Sequence, residues 1–353
     1  MTRPLVRSTV CTPHGNAGPH QAVAVTERAA AMPVIYIASS AFSGSTLLAF
    51  ALNTHSQITT AGHTTGWSGL TPDFPCSCGS RLAACPFFAH IANAFATAGI
   101  AFPMSGHFPT RYRISRRERA NQLVFDNLPL LHSEMLERAR DAVVTGTPGI
   151  RRHIARADRA NLIFMDAARG YAGARVYVDN SHSPYRFRRL ASIPGLMLRP
   201  VHLVRDVRGV SLSSSEVYGR DPVDAARTWI REQETVVRVL RATRADDGRP
   251  AYDRAVLLHY ERFCDDPVSE LGRITDVLDV APFETLPDFK QAEHHILGNN
   301  MRFGSGRIVK SRRWARDLSP STQTRIIDTV RAFARRSRFR RELEDILTPM
   351  LEA

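Results

Sequence analysis

Pro33-Val34-Ile35-Tyr36-Ile37-Ala38-Ser39-Ser40-Ala41-Phe42-Ser43-Gly44-Ser45-Thr46-Leu47-Leu48-Ala49-Phe50-Ala51-Leu52 is the stretch that decides the fold. Val34 to Ala38 is a short apolar, β-rich run, the pattern of a buried strand. Ser39 to Ser45 is a turn of small residues. Thr46 to Leu52 reads as a helix. Strand, small-residue loop and helix in this order open an α/β unit.

Working outward, strands are expected at Arg175–Asp179, Val201–Val204 and Ala255–His259. A long amphipathic helix covers Pro222–Ala242, and further helices follow near 267–279, 319–335 and 338–351. Helices between strands favour a parallel sheet in a single α/β domain, residues 33–353. Residues 67–86 read as an irregular excursion, and 87–170 as a helical insertion that shapes an acceptor site. Residues 1–32 carry Pro4, Pro13, Gly15, Gly18 and Pro19 without an apolar core, and read as a disordered tail of a cytoplasmic protein.

Composition narrows the classes. The 353 residues are 43% hydrophobic, enough for a substantial core. No run reaches the roughly 18 apolar residues of a membrane span. The formal net charge is +13, and of the 47 basic residues only Lys290 and Lys310 are lysines, leaving 45 arginines. Guanidinium suits bidentate capture of phosphate or sulfate.

Two local patterns give that charge a use. In the loop from Ser39 to Thr46, backbone N–H groups and the following helix N-terminus make an anion site. Aligned on the nucleotide-binding pattern G-x-x-x-x-G-K-[ST], Ser39 stands at the first glycine, Gly44 at the second, Ser45 at the lysine and Thr46 at the hydroxyl position. The lysine is absent, which weakens a kinase reading. Farther on, Val201 to Ser213 carries a strand into a helix. Arg205 sits at the strand end and Ser213 eight residues later, so one guanidinium and one hydroxyl can grip one phosphate. The alternative is an Arg205–Asp206 ion pair.

Together these patterns resemble the PAPS-dependent sulfotransferase family, in its bacterial branch. Phe42-Ser-Gly-Ser-Thr-Leu-Leu48 is similar to its 5′-phosphosulfate loop, and Leu203 to Ser213 to its 3′-phosphate motif. His259-Tyr-Glu-Arg-Phe263 is similar to the segment whose tyrosine, here Tyr260, lies near adenine. Met301-Arg-Phe-Gly304 resembles the late segment that closes on the 3′-phosphate, with Trp314 following. Val178-Asp-Asn-Ser-His182 and Cys76-Ser-Cys-Gly79 with Cys85-Pro-Phe-Phe88 resemble stretches of the bacterial branch. The likeness runs from Pro33 to Trp314. It implies a P-loop-like fold and sulfuryl transfer from 3′-phosphoadenosine 5′-phosphosulfate (PAPS) to a hydroxyl of a small molecule or glycan. The product is 3′,5′-adenosine bisphosphate (PAP), and no metal is required. The implied donor-binding residues are Phe42, Ser43, Gly44, Ser45, Thr46, Arg205, Ser213, Tyr260, Arg302 and Gly304. Phe42 stands where the family carries Lys or Arg, and His182 where the branch carries Lys. The alternatives are a small-molecule kinase, with Asp179 as a strand-end metal ligand, and an inactive PAP-binding protein.

In-line transfer needs a proton acceptor and a stabiliser of the leaving phosphate. Gly62-His63 stands where many relatives carry Gly-Glu, so His63 is the expected base. His182 is the expected electrophile or leaving-group acid, and Arg302 is the alternative cation.

Cys76, Cys78, Cys85 and His90 offer metal-ligand chemistry. Their C-x-C-x6-C-x4-H spacing departs from the paired C-x2-C pattern. Reduced thiols or a loop disulfide is the simpler reading, and no metal is assigned. Arg111, Arg113, Arg116, Arg117 and Arg119, and later Arg335, Arg336, Arg338, Arg340 and Arg341, read as solvated faces. Without an aromatic platform they do not argue for nucleic acid.

Overall fold

A computed structural model describes residues 31–126, 134–288, 294–296, 300–303 and 307–351. The five strands are β1 (Met32–Ser39), β2 (Ile58–Thr60), β3 (Val176–His182), β4 (Leu196–Val204) and β5 (Val256–His259). They pair in the order β2-β3-β1-β4-β5, and every pairing is parallel. The chain is therefore the α/β protein with a central parallel sheet and flanking helices that the opening stretch implies.

β1 lies at the centre, and its residues Val34 to Ala38 have no exposed surface. Their side chains alternate between two cores, as a strand's period of two requires. Val34, Tyr36 and Ala38 face one core with Phe88, Phe95 and Phe164. Ile35 and Ile37 face the other with Leu48, Phe50, Leu258 and Phe263. Both faces are covered, so the strand reads as a continuous apolar run rather than an alternating one. The helix Ser45–Leu52 is buried at all eight positions, which fixes the loop before it against the sheet.

The expected insertion contains helices Pro86–Thr97, Glu118–Phe125, Glu134–Gly146 and Pro148–Ala172. The long helix at Pro222–Ala242 starts where Asp221 caps it, its side chain accepting from the backbone N–H of Val223 and Asp224. With helices Val207–Tyr218, Pro320–Arg336 and Arg340–Leu351 it builds a third core around Trp229 and Trp314. No described helix is long and apolar enough to cross a membrane.

Three details differ from the sequence expectation. The strand β2 is only three residues long and carries too little pattern to read. β1 begins at Met32, while the rest of the expected tail up to Ala30 lies outside the described residues. Arg111, Arg113, Arg116 and Arg117 stand in the segment before helix Glu118–Phe125 rather than along one helix, and Arg111 pairs with Glu118.

Candidate active site

The carboxyl ends of parallel strands are where α/β proteins place ligands. Here β1 ends in Ser39, β3 in His182, β4 leads into Arg205 and β5 into Tyr260, and all four meet the loop Ser39–Thr46.

The loop is held in an unusual shape. Gly44 caps the helix in the left-handed region at φ 90°. A side chain there would stand 2.5 Å from the Tyr260 ring, so only glycine fits. The N–H groups of Ser45, Thr46 and Leu47 open the helix, whose first backbone bond runs from Leu48 N–H to the Gly44 carbonyl at 3.1 Å. No acidic side chain occupies that first turn. Ser43 is buried, and its hydroxyl lies 2.8 Å from that of Ser40. Phe42 and His182 are the two described non-glycine residues with positive φ, at 63° and 64°. Such positions cost on the order of 1–3 kcal/mol each and concentrate at functional sites.

A bulge places His182. Register runs from Tyr36 opposite Asp179 to Ala38 opposite His182, so β3 spends one extra residue there. The imidazole then reaches the loop from beside β1. Its Nδ1 lies 2.6 Å from Ser39 Oγ, and its Nε2 lies 3.3 Å from Ser45 Oγ and 3.2 Å from His63 Nε2. His63 and His182, 119 residues apart in sequence, thus form one imidazole pair beside the anion loop. Burial is the main cause that lowers both, His63 to about 4 and His182 to about 3, and His63 adds to the effect at His182. With both values well below 7, the two rings are in their neutral form at pH 7, and the tautomers set which nitrogen donates. A bound anion would favour the imidazolium and raise both values.

Arg205 is free of a carboxylate among the described residues. Asp206 pairs instead with Arg208, at 2.6 Å, and caps the helix Val207–Tyr218. The Arg205 Nη1 donates to the Phe42 carbonyl at 2.9 Å, and the guanidinium lies 4.7 Å from the Tyr260 ring centre. Its Nε is buried without a hydrogen-bond partner. Tyr260 donates its hydroxyl to the Val309 carbonyl at 3.2 Å, and its ring covers Gly44. Ser213 is half-buried on the helix that Arg205 precedes. Phe42, at the position the family resemblance assigns to a cation, turns its ring onto Tyr218, 5.6 Å away.

Arg302 is placed differently. Its Nη1 donates to the carbonyls of Pro75 and His295, at 2.9 and 3.2 Å, and its guanidinium stacks on Phe74 and Phe303. These contacts join it to the cysteine-bearing excursion at Pro75 and to the 294–296 segment. Gly304 lies outside the described residues.

Asp179, considered above as a strand-end metal ligand, is fully buried and already paired. Arg186 Nε and Nη2 donate to its Oδ2 at 3.1 and 2.9 Å, and Ser181 N–H donates to Oδ1 at 2.9 Å. The same guanidinium donates to Asn161 and to the Thr110 carbonyl, tying the end of β3 to the helical insertion. Between insertion and strand end lies a cavity of about 330 Å³. Its walls include Trp67, Arg111, Tyr112 and Asp126 on one side and Ser181, Ser183 and Tyr185 on the other. Ser181 and Ser183 in this lining are the sequence neighbours of His182.

Sequence reasoning selected both histidines but not their contact. It missed the Ser39–His182 bond, the Phe42 carbonyl as a partner of Arg205, and the pairing of Asp206 with Arg208. The last was within reach: an aspartate before a helix is a cap, and the cap faces residues after it.

No family profile and no curated protein matches this sequence. Among solved structures, the chain is similar to the sulfotransferase domain of the Synechococcus PCC 7002 olefin synthase, with a TM-score of 0.45 and 19% identity over 86% of this chain and 95% of that one. It is similar to the sulfotransferase domain from the curacin biosynthetic pathway, with a TM-score of 0.45 and 17% identity over 86% and 98%. A sulfotransferase of Mycobacterium tuberculosis H37Rv matches with a TM-score of 0.37 and 16% identity over 75% and 70%. Likeness at this level says nothing of chemistry.

Proposed function

We propose that this chain is a sulfotransferase that moves a sulfuryl group from PAPS to a hydroxyl of a small molecule or glycan. The observation that carries the reading is the loop Ser39–Thr46 flanked by Arg205, which makes no ion pair with a carboxylate among the described residues, and by the neutral His63–His182 pair.

In this reading the N–H groups of the loop hold the 5′-phosphosulfate, and Arg205 and Ser213 hold the 3′-phosphate. Tyr260 supplies the aromatic face beside adenine. The acceptor enters from the cavity between the insertion and the end of β3. Its oxygen forms the new O–S bond as the bond from sulfur to the bridging phosphate oxygen breaks. The electron pair leaves on the 5′-phosphate of PAP, and the hydroxyl proton goes to His63. His182, braced by Ser39, donates toward the leaving oxygen. The negative donor raises both imidazoles from their depressed values, which brings His63 nearer the range of a working base.

The kinase alternative loses support because Asp179, its candidate metal ligand, is held by Arg186. The acceptor being unidentified, the reverse reaction is the direct test. An aryl sulfate offered with PAP should yield PAPS and the free phenol. PAP binding without any transfer, forward or reverse, would move the chain to the nucleotide-binder class.

A further inference from the structure

The excursion before the insertion carries a second chemistry. Cys76, Cys78, Cys85 and His294 bring four ligand atoms within 4.8 Å of one another. Cys85 Sγ lies 3.8 Å from Cys76 Sγ, 3.8 Å from Cys78 Sγ and 3.3 Å from His294 Nδ1. Zinc bonds of about 2.3 Å to sulfur and 2.0–2.1 Å to nitrogen in a tetrahedron place sulfurs about 3.8 Å apart and sulfur from nitrogen about 3.5 Å apart. The three edges at Cys85 are close to those lengths, and no two of the four ligand atoms are more than 4.8 Å apart. The cysteines are not disulfide-bonded.

The site is built by parts of the chain far apart. Gly79 N–H donates to the Cys76 carbonyl at 3.0 Å, closing a tight turn that curls Cys78 back beside Cys76 despite the short C-x-C spacing. Cys85 immediately precedes helix Pro86–Thr97. His294 arrives 209 residues later, and its ring stacks on Phe87, 4.9 Å away and 3° from parallel. Backbone bonds clamp the two segments: Ser77 N–H donates to the His295 carbonyl at 2.9 Å, and His295 N–H to Ser77 Oγ at 2.8 Å. His90, the ligand suggested by spacing, is exposed against Tyr171 and takes no part.

We infer that Cys76, Cys78, Cys85 and His294 form a structural zinc site that fastens the excursion to the 294–296 segment. Three thiolates and one imidazole fill four positions, so the metal has no open place for substrate. On binding, each thiol gives its proton to solvent as its sulfur forms a Zn–S bond. The site's effect on the anion loop is indirect, since the neighbouring His295 ring rests 4.5 Å from Phe50 of the helix behind that loop.

Elemental analysis of the full chain tests this. Wild type and His90→Ala should each carry about one zinc per chain, while His294→Ala and Cys78→Ser should carry less than about a tenth of that. Cobalt(II) added to the metal-stripped wild type should give thiolate charge-transfer bands and intense tetrahedral d–d bands. That titration decides the matter even where a variant does not fold. Zinc kept by His294→Ala but lost from His90→Ala would overturn the assignment. So would an absence of both zinc and cobalt bands, or a disulfide among these three cysteines in metal-free folded protein.

Discussion

The anion loop and the cysteine excursion lie on neighbouring parts of the chain, yet they differ in how far their parts come from. The loop Ser39–Thr46 is one contiguous stretch whose shape follows from local rules: a buried strand, small residues, and a glycine that caps a helix. The cysteine site closes only with His294, 209 residues beyond Cys85. The first can be read from twenty residues. The second requires the fold.

The two regions also use glycine differently. The largest effect is expected at His63, the proposed base. His63→Ala should lower kcat by about 10²–10⁴-fold, the usual weight of a positioned proton acceptor, while PAP affinity stays within about twofold. Unchanged turnover in His63→Ala would remove that histidine from the reaction.

Gly44→Ala comes next. It combines a left-handed backbone with a Cβ 2.5 Å from Tyr260, and should cost about 2–5 kcal/mol locally and abolish measurable PAP binding. Gly79 has nearly the same backbone, φ 87°, but no atom within 4 Å of its missing Cβ. Gly79→Ala should therefore cost only about 1–2 kcal/mol, read as a small drop in thermal midpoint, with PAP binding and metal content retained. Equal losses in the two variants would show that space around the loop is not what matters.

Arg205→Gln should weaken PAP by about 1.5–3 kcal/mol, the range of one charged hydrogen bond, and leave the cysteine site untouched. Titration of PAP into the variant measures it.

The remaining test is pH dependence. His63 and His182 have folded values of about 4 and 3 against an ordinary 6.5. The unfolded chain therefore binds more protons in that window. Stability should be unaffected by these groups above pH 6.5 and should fall as pH drops from 6.5 through 4 to about 3. PAP should reduce the fall by favouring the imidazolium forms. Urea unfolding at several pH values, with and without PAP, checks the sign; a PAP effect that grows with rising pH would contradict it.

Much of the architecture is legible because its strands are buried on both faces. Val34–Ala38, Val201–Val204 and Val256–His259 stand out as apolar runs, and Asp221-Pro222 announces the long helix. Ile58–Thr60 does not stand out, because three residues carry no period and pair only with β3. In the site, the loop and Arg205 are visible from spacing. The His63–His182 contact is not, since it depends on a bulge in β3 that no local residue pattern marks. The fate of the arginines is legible only in part. The exposed ones near the carboxyl terminus read correctly as a solvated face. Arg186, which looks like another of the same kind, is instead buried against Asp179.

In the proposed function the loop, Arg205 and Tyr260 hold a 3′,5′-bisphosphorylated adenosine. Calorimetric titration of the purified chain with PAP, with ATP and magnesium alongside, tests it most directly. Micromolar PAP binding without magnesium and weak ATP binding are expected. ATP–magnesium binding with no response to PAP would contradict it.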